Sequence, residues 1–337
     1  MKKKVFIQKL LIALGIGSLC QAVIAAEDFR VRYNLVGTLG GEIFAPLPQE
    51  GWIGAISQTH VDAKKLTGDD GNDRRLTLPN RGTVAIKSEG KADITALALV
   101  KVIQGSSANE RLAFTAILPY SQVAAHLTTQ PDPSVLARTL PPPLAKSLMS
   151  ELNKRNGEAQ GIGDLDLNAS WLRAEGRWKF RVATSLVLPT GEYDANAGQN
   201  IGLGNFYTLR PEAQATYQPT LKWAFSSKLA LGLNSTNEDN QWRSGDWHAL
   251  EAAAGYVTPI GPLGLHAVRV KQHQDDKNGN PLFASGPNRF ELTAAGLFFS
   301  TGLDFIDANL TAQHMVTTSS RNARHSNFTQ VRVVKRF

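Results

Sequence analysis

Leu165-Asp-Leu-Asn-Ala-Ser-Trp-Leu-Arg-Ala-Glu-Gly-Arg-Trp-Lys-Phe-Arg-Val-Ala-Thr-Ser-Leu-Val-Leu188 holds two runs of alternating residues. In the first, Leu165, Leu167, Ala169 and Trp171 share one face, and Asp164, Asp166, Asn168 and Ser170 share the other. In the second, Trp178, Phe180, Val182, Thr184, Leu186 and Leu188 oppose Arg177, Lys179, Arg181 and Ser185. A period of two is a strand, because successive side chains point to opposite faces. A soluble sandwich or lipocalin-like barrel of this size puts its apolar rows inside and leaves no place for charged rows such as Asp164/Asp166 and Arg177/Lys179/Arg181. One face for hydrocarbon and one for water is the pattern of a transmembrane β-barrel.

The pattern extends in both directions. Tyr207, Leu209, Ala213, Ala215 and Tyr217 oppose Arg210, Glu212, Gln214 and Thr216; Trp223, Phe225, Leu229, Leu231 and Leu233 oppose Ser226, Lys228 and Asn234. Twelve segments result: 52–61, 93–103, 111–119, 162–174, 177–189, 206–218, 221–233, 247–257, 263–274, 289–300, 303–314 and 327–337, of which the first and ninth alternate poorly. In lipid every backbone N–H and C=O is bonded within the protein, so such strands close on themselves. Arg or Lys on the lipid face costs about 2–4 kcal/mol at mid-membrane, which fixes which row faces out. The expected fold is all-β: an antiparallel up-and-down barrel of twelve strands with both ends in the periplasm. Short connections (174–176, 219–220, 258–262) then alternate with long extracellular ones (62–92, 120–161, 190–205, 234–246, 275–288, 315–326). Trp and Tyr at strand ends suit the two membrane interfaces.

The ends of the chain agree. Residues 1–26 read as an export signal: Lys2, Lys3, Lys4 and Lys9, an apolar core from Leu10 to Ile16, and a cleavage site after Ala25 or Ala26. Leu19 before Cys20 speaks against a lipoprotein. The whole chain carries 36 Lys+Arg against 29 Asp+Glu, a charge of +7; without the four signal lysines the balance is 32 against 29, or +3. The basic character therefore belongs largely to the signal and implies no nucleic-acid partner. Beyond residue 26 there is no cysteine, so no disulfide or thiolate metal site. No apolar run reaches the ~18 residues of a membrane helix. Residues 27–51, with Gly37, Gly40 and Gly41, precede the barrel of 52–337 and read either as a plug in the lumen or as a periplasmic tail. The chain closes on Gln330-Val-Arg-Val-Val-Lys-Arg-Phe337. A terminal strand with a final aromatic residue is expected to engage the outer-membrane barrel assembly machinery. Lys335 shares the face of Val331, Val333 and Phe337, where a long side chain reaches the interface.

Four stretches in order resemble the outer-membrane transporters grouped as "meta-pathway of phenol degradation" proteins. They are Gly161–Leu167; Leu188-Pro-Thr-Gly-Glu-Tyr-Asp194 with Phe206–Pro211; Asn234-Ser-Thr-Asn with Trp242-Arg-Ser-Gly-Asp246; and Gln274-Asp-Asp-Lys-Asn-Gly279. The family's aromatic residues before Gln274 are replaced here by Lys271 and His273. The resemblance implies a barrel that takes up hydrophobic or aromatic compounds; a monomer in the outer membrane of a Gram-negative cell, without cofactor, is expected.

Candidate solute-contacting residues are the inward charges Asp164, Asp166, Arg177, Lys179, Arg181, Arg210, Glu212 and Lys228. Charged rows either satisfy one another or build a selective constriction. Pairing about Pro219 is expected to set Glu212 opposite Lys228. Among loops, Arg243 and Asp246 can pair across a turn. Pro141–Arg155 places Leu144, Leu148 and Leu152 at helical spacing, a three-turn amphipathic helix that either caps the pore or packs on the rim. Asp-x-Asp at 164–166 with Asp246-Trp-His248 has the residue types of an outer-membrane protease. But His248 shares the parity of lipid-facing Leu250, so it points away from the lumen. His325-Ser326-Asn327 has the residue types of a lipase relay, yet adjacent residues do not converge in space. Asp275–Gly279 misses a calcium loop by one position. An enzyme is not expected. A structural or adhesive barrel without transport is the alternative.

Overall fold

The computed structural model describes residues 31–78, 82–195, 197–277 and 289–337; the export signal expected over 1–26 and Gly279 lie outside the described residues. Twelve strands close one antiparallel barrel: β1 (Gly51–Leu66), β3 (Gly82–Gln104), β4 (Glu110–Gln130), β6 (Leu165–Glu175), β7 (Trp178–Leu188), β8 (Thr208–Tyr217), β9 (Trp223–Asn234), β10 (Trp247–Thr258), β11 (Gly261–Gln272), β12 (Glu291–Leu303), β13 (Ala308–Arg321) and β14 (Arg324–Arg336). Closure is by β1 against β14, with Ile53 opposite Arg336. Two short strands extend the wall. β2 (Arg75–Leu78) pairs with the start of β3, and β5 (Gly157–Ile162) runs in line with β6 along β4, the line broken at Gly163-Asp164.

Each of the twelve segments of the sequence reading overlaps a strand, though the eleventh, 303–314, begins with a 3-10 turn at Asp304–Ile306 before β13. Their lengths differ from expectation. β3 and β4 run for 23 and 21 residues, where about 9–11 cross a bilayer. Much of 62–92 and 120–161, expected as loops, is therefore strand. The outer faces of these extensions carry exposed Lys87, Glu89 and Lys91 on β3 and Gln122 and His126 on β4, so they stand in water above the membrane. The connection expected over 315–326 is also strand: β13 and β14 meet in a tight turn at Asn322-Ala323, where Asn322 takes a left-handed φ of 45°.

Below these extensions the outward rows are hydrocarbon: Leu97, Phe114, Val182, Leu229, Leu250 and Leu297 are all exposed. Aromatic residues ring the periplasmic edge, where Trp178 lies 4.7 Å from Tyr217 and Trp223 lies 4.9 Å from Tyr256, centroid to centroid. The Lys335 ammonium sits 5.8 Å over the Phe337 ring, so its charge is held at the interface and its stem replaces the expected apolar residue.

The inner face divides. On β6 to β9 the inward rows are the polar ones read from the sequence. On β10 to β14 they are largely apolar: Ala249, Val268, Val270, Leu292, Ala294, Met315 and Phe328 form a buried cluster with Val36, beside the buried polar side chains of Glu251, His266, Gln313 and Gln330. The cause is the chain before β1, which runs inside the barrel and needs an apolar surface to pack on. It explains the poor alternation of β11, since both faces of that strand meet apolar neighbours. A second cluster joins Leu39 and Ile43 of the same segment to Ala224, Ala253 and Phe298. Burying an aliphatic side chain of this kind contributes about 1.5–3 kcal/mol.

Two helices sit above the barrel between β4 and β5. α1 (Pro133–Thr139) starts at Asp132, whose carboxylate accepts from Ser134 N at 2.8 Å and Ser134 Oγ at 2.7 Å and is thereby held below the usual carboxylate range. α2 (Pro142–Lys154) is the three-turn helix read from the leucine spacing, with proline in its first turn. Leu152 is buried, as are Leu136, Leu140 and Ala145; the side chains of Leu144 and Leu148 lie outside what the structure describes.

Candidate functional site

Residues 31–48 thread the lumen with a short helix, α3 (Leu39–Glu42), at their middle. Glycines permit the close approach. Gly37 has φ +73° and rests against the ring of His266 and the carboxylate of Glu251, leaving no room for a Cβ; Gly40 abuts Phe298 and Gly41 abuts Arg332.

Glu251 on β10 is the centre of the attachment. It is fully buried. It accepts from Lys228 Nζ at 2.6 Å, from Thr38 N at 3.1 Å, from Leu39 N at 3.4 Å and from the Tyr33 hydroxyl, and His266 Nε2 lies 3.1 Å away. One carboxylate thus joins two wall residues of neighbouring strands to the first turn of α3 and to Tyr33. A second attachment lies nearer the outside. Arg32 meets Asp164 at 2.8 Å, donates to the Gly204 carbonyl at 2.8 Å and stacks 3.8 Å over the Phe206 ring. Arg210 donates to the Arg32 carbonyl at 3.1 Å.

The predicted inward charges are brought together on β6, β7 and β8. Arg210 meets Asp166 at 2.6 Å and Glu212 at 2.8 Å, and Arg181 meets Glu212 at 3.0 Å and Asn168 at 3.2 Å. Two expectations change. Lys228 does not face Glu212: the register sets Glu212 opposite Ala230 and Gln214 opposite Lys228. The connection over 218–222 is longer than a tight turn at Pro219, which moves β9 two residues, and Lys228 pairs with Glu251 instead. Arg177 does not line the lumen; it is exposed in the turn Gly176-Arg177. Lys179 does point inward and donates to the carbonyls of Ile43 at 3.1 Å and Ala45 at 2.6 Å.

The loop pair Arg243 and Asp246 forms an ion pair of 3.1 Å, with Arg243 also on the Asn234 carbonyl at 2.9 Å and Asp246 on Asn234 N at 2.9 Å. These bonds tie the β9–β10 connection together. The residues of the hydrolase reading do not converge. Asp164 and Asp166 are held by arginines within the barrel, and His248 stacks on His273 with centroids 6.0 Å apart, on the outward face of β10 and beyond. His325 Nδ1 lies 3.2 Å from Ser320 Oγ.

Sequence reading passed over Glu251, His266, Arg32 and Tyr33. Glu251 had a signal: it alternates with Leu250 and Ala252, so an outward Leu250 puts the acid inside. His266 sits on the poorly patterned β11, and Arg32 and Tyr33 precede the barrel, where alternation says nothing.

Opposite the charged wall, β1, β3 and β4 present small and aliphatic residues inward, among them Ala55, Ile94, Ala98, Val100, Ile117 and Val123. Between that wall and the threaded segment runs a cavity of about 1060 Å³, bounded by Gln199, Ile201 and Leu203 toward the outside and by Pro48, Gly302 and Val334 toward the periplasm.

The sequence profile of the family described as "Putative MetA-pathway of phenol degradation" matches residues 74–332. No curated protein matches the chain. Among solved structures, an outer membrane channel from Pseudomonas putida is similar at a TM-score of 0.67 and 17% identity, over 88% of this chain and 98% of that one. The β domain of a Bordetella autotransporter, BrkA, gives 0.47 at 10% identity over 85% and 99%. The CymD monoaromatic hydrocarbon channel gives 0.42 at 11% identity over 94% and 98%. The first of these shares the fold.

Proposed function

The chain belongs to the family described as "Putative MetA-pathway of phenol degradation", and from that premise we propose that this outer-membrane barrel is an uptake channel for small hydrophobic or aromatic compounds. The cavity carries the reading. It runs the depth of the barrel, and one side of it is largely alanine, valine and isoleucine from β1, β3 and β4, with the hydroxyls of Ser57, Thr59, Thr115 and Ser121 among them. Such a wall, mostly apolar with a few polar groups, is the usual lining for a small apolar solute. Across the lumen Arg210 and Arg181 are paired with Asp166 and Glu212, so that wall carries fewer bare charges to trap water-soluble ions.

The test is planar-bilayer recording on refolded full-length protein with a panel of aromatic acids and hydrocarbons. Block or modulation by panel members is expected. Silence toward every member would favour a structural or adhesive barrel that transports nothing.

The helices α1 and α2 are part of this proposal as a cover over the outer mouth, with their apolar side chains a first contact for solute. Deleting residues 133–155 is expected to change uptake of apolar solutes, since a loop this long usually serves as a lid or binding element; unchanged uptake rejects the lid. Phe337 is proposed to engage the barrel assembly machinery, and the barrel to act as a monomer. The same segment 31–48 is proposed as the plug. Alanine at Asp166 and His248 is expected to leave peptidase activity of whole cells unaltered; loss of such activity would revive a hydrolase.

A further inference from the structure

Charge inside the barrel is unevenly satisfied. Among the described residues lining the cavity, and leaving aside Lys91 on the outer face of β3, eight are Lys or Arg and four are Asp or Glu. Arg32, Arg181, Arg210 and Lys228 have carboxylate partners. Lys179 on β7 and Arg332 on β14 form no ion pair among the described residues. Lys179 donates to the main-chain carbonyls of Ile43 and Ala45, and Arg332 donates to that of Thr38 at 3.4 Å. The Nε of Arg332 is buried and has no hydrogen-bond partner.

The arrangement continues to the periplasmic mouth. Arg111 on β4 donates to the Pro48 carbonyl at 3.0 Å, and Arg336 on β14 donates to the Glu50 carbonyl at 3.1 Å and to the Gln49 side chain. Four cations from three strands thus hold residues 38–50 by neutral oxygens. A carbonyl satisfies a donor and leaves the positive charge in place. Glu42 is the one acid lining this half of the cavity, and it too forms no ion pair among the described residues. A carboxylate accepts from such donors as a carbonyl does and also supplies the opposite charge that a carbonyl lacks.

We infer that the periplasmic half of the cavity is a binding site for the carboxylate of an amphipathic cargo, with Lys179 and Arg332 as its two ligands. The apolar body of the cargo lies along the aliphatic wall of β1, β3 and β4. Its head group replaces the carbonyls of Thr38, Ile43 and Ala45 on the two cations, so the binding step also loosens the threaded segment. The inference rests on the uptake reading above and narrows it to apolar molecules that bear a carboxylate.

Benzoate and benzyl alcohol share a ring and differ in charge. Titrating each into the full-length protein in detergent at neutral pH, with tryptophan fluorescence or calorimetry as readout, separates the two levels of the proposal. Benzoate is expected to bind about tenfold more tightly than benzyl alcohol, the worth of one charge-assisted hydrogen bond. Lys179→Met with Arg332→Met should reduce benzoate to the level of benzyl alcohol and leave benzyl alcohol unchanged. Lys179→Arg with Arg332→Lys should keep the preference, which guards against a folding defect in the first pair. Equal affinities in the unaltered protein, or a preference that survives the methionine pair, overturns the carboxylate site while the uptake reading stands. Binding of neither ligand counts against both.

Discussion

Removing residues 31–48, or replacing them with a glycine–serine stretch of equal length, is expected to raise single-channel conductance several-fold, toward that of an open twelve-stranded bore, since bore diameter grows with strand number. The reason is volume and attachment together. The segment fills the lumen beside β9 to β14, and every wall-to-segment bond described above ends on it. The replacement variant keeps the length of the chain before β1, so it separates loss of the plug from a failure to start the barrel. A conductance equal to that of the unaltered protein would mean that the passage beside the segment already sets the flow, and that the segment is scaffold. Some loss of stability accompanies the change, because Val268, Val270 and Phe298 would then face water.

Glu251→Gln is expected to cost about 3–5 kcal/mol of barrel stability, the usual penalty for leaving one member of a buried ion pair alone. Lys228 is almost wholly buried, and Glu251 is its ion-pair partner at 2.6 Å. The amide also weakens the acceptor for Thr38 N and Leu39 N, so the substitution should increase current fluctuations as well as lower the denaturation midpoint. Both effects are measurable, one by denaturant titration and one in bilayers. A compensating pair, Glu251→Leu with Lys228→Met, removes both charges. It should recover part of the midpoint, since no charge is left alone, while the fluctuations remain, because Thr38 N, Leu39 N and the Tyr33 hydroxyl still lack their acceptor. A midpoint unaffected by Glu251→Gln would show that water reaches Lys228 and that this cluster is not the attachment point.

The lumen charges illustrate what a strand pattern can and cannot say. Parity alone put Asp166, Lys179, Arg181, Arg210, Glu212 and Lys228 inside, and with Leu250 it also held the answer for Glu251. Partners are another matter. Lys228 meets Glu251 because 218–222 is a five-residue connection and because β10 lies beside β9, facts about register that a run of alternating residues does not contain. Arg177 belongs to its turn for a similar reason: one residue of difference at Gly176 decides between wall and loop.

Sequence by itself determined the barrel, its twelve strands, the side of β6 to β9 that meets lipid, and the helix within 141–155. These follow from local periods of two and of 3.6, which are set by what each face of a segment touches. Tertiary structure decided the contents of the lumen. Residues 31–48 have no period that says where they go. Their place depends on Gly37 and Gly41 finding His266 and Arg332, residues more than 200 positions away, and on inward apolar rows of β10 to β14 that seem misplaced until the segment covers them. Contacts of that range are fixed when the barrel closes, which is why the wall was legible in the chain and the passage through it was not.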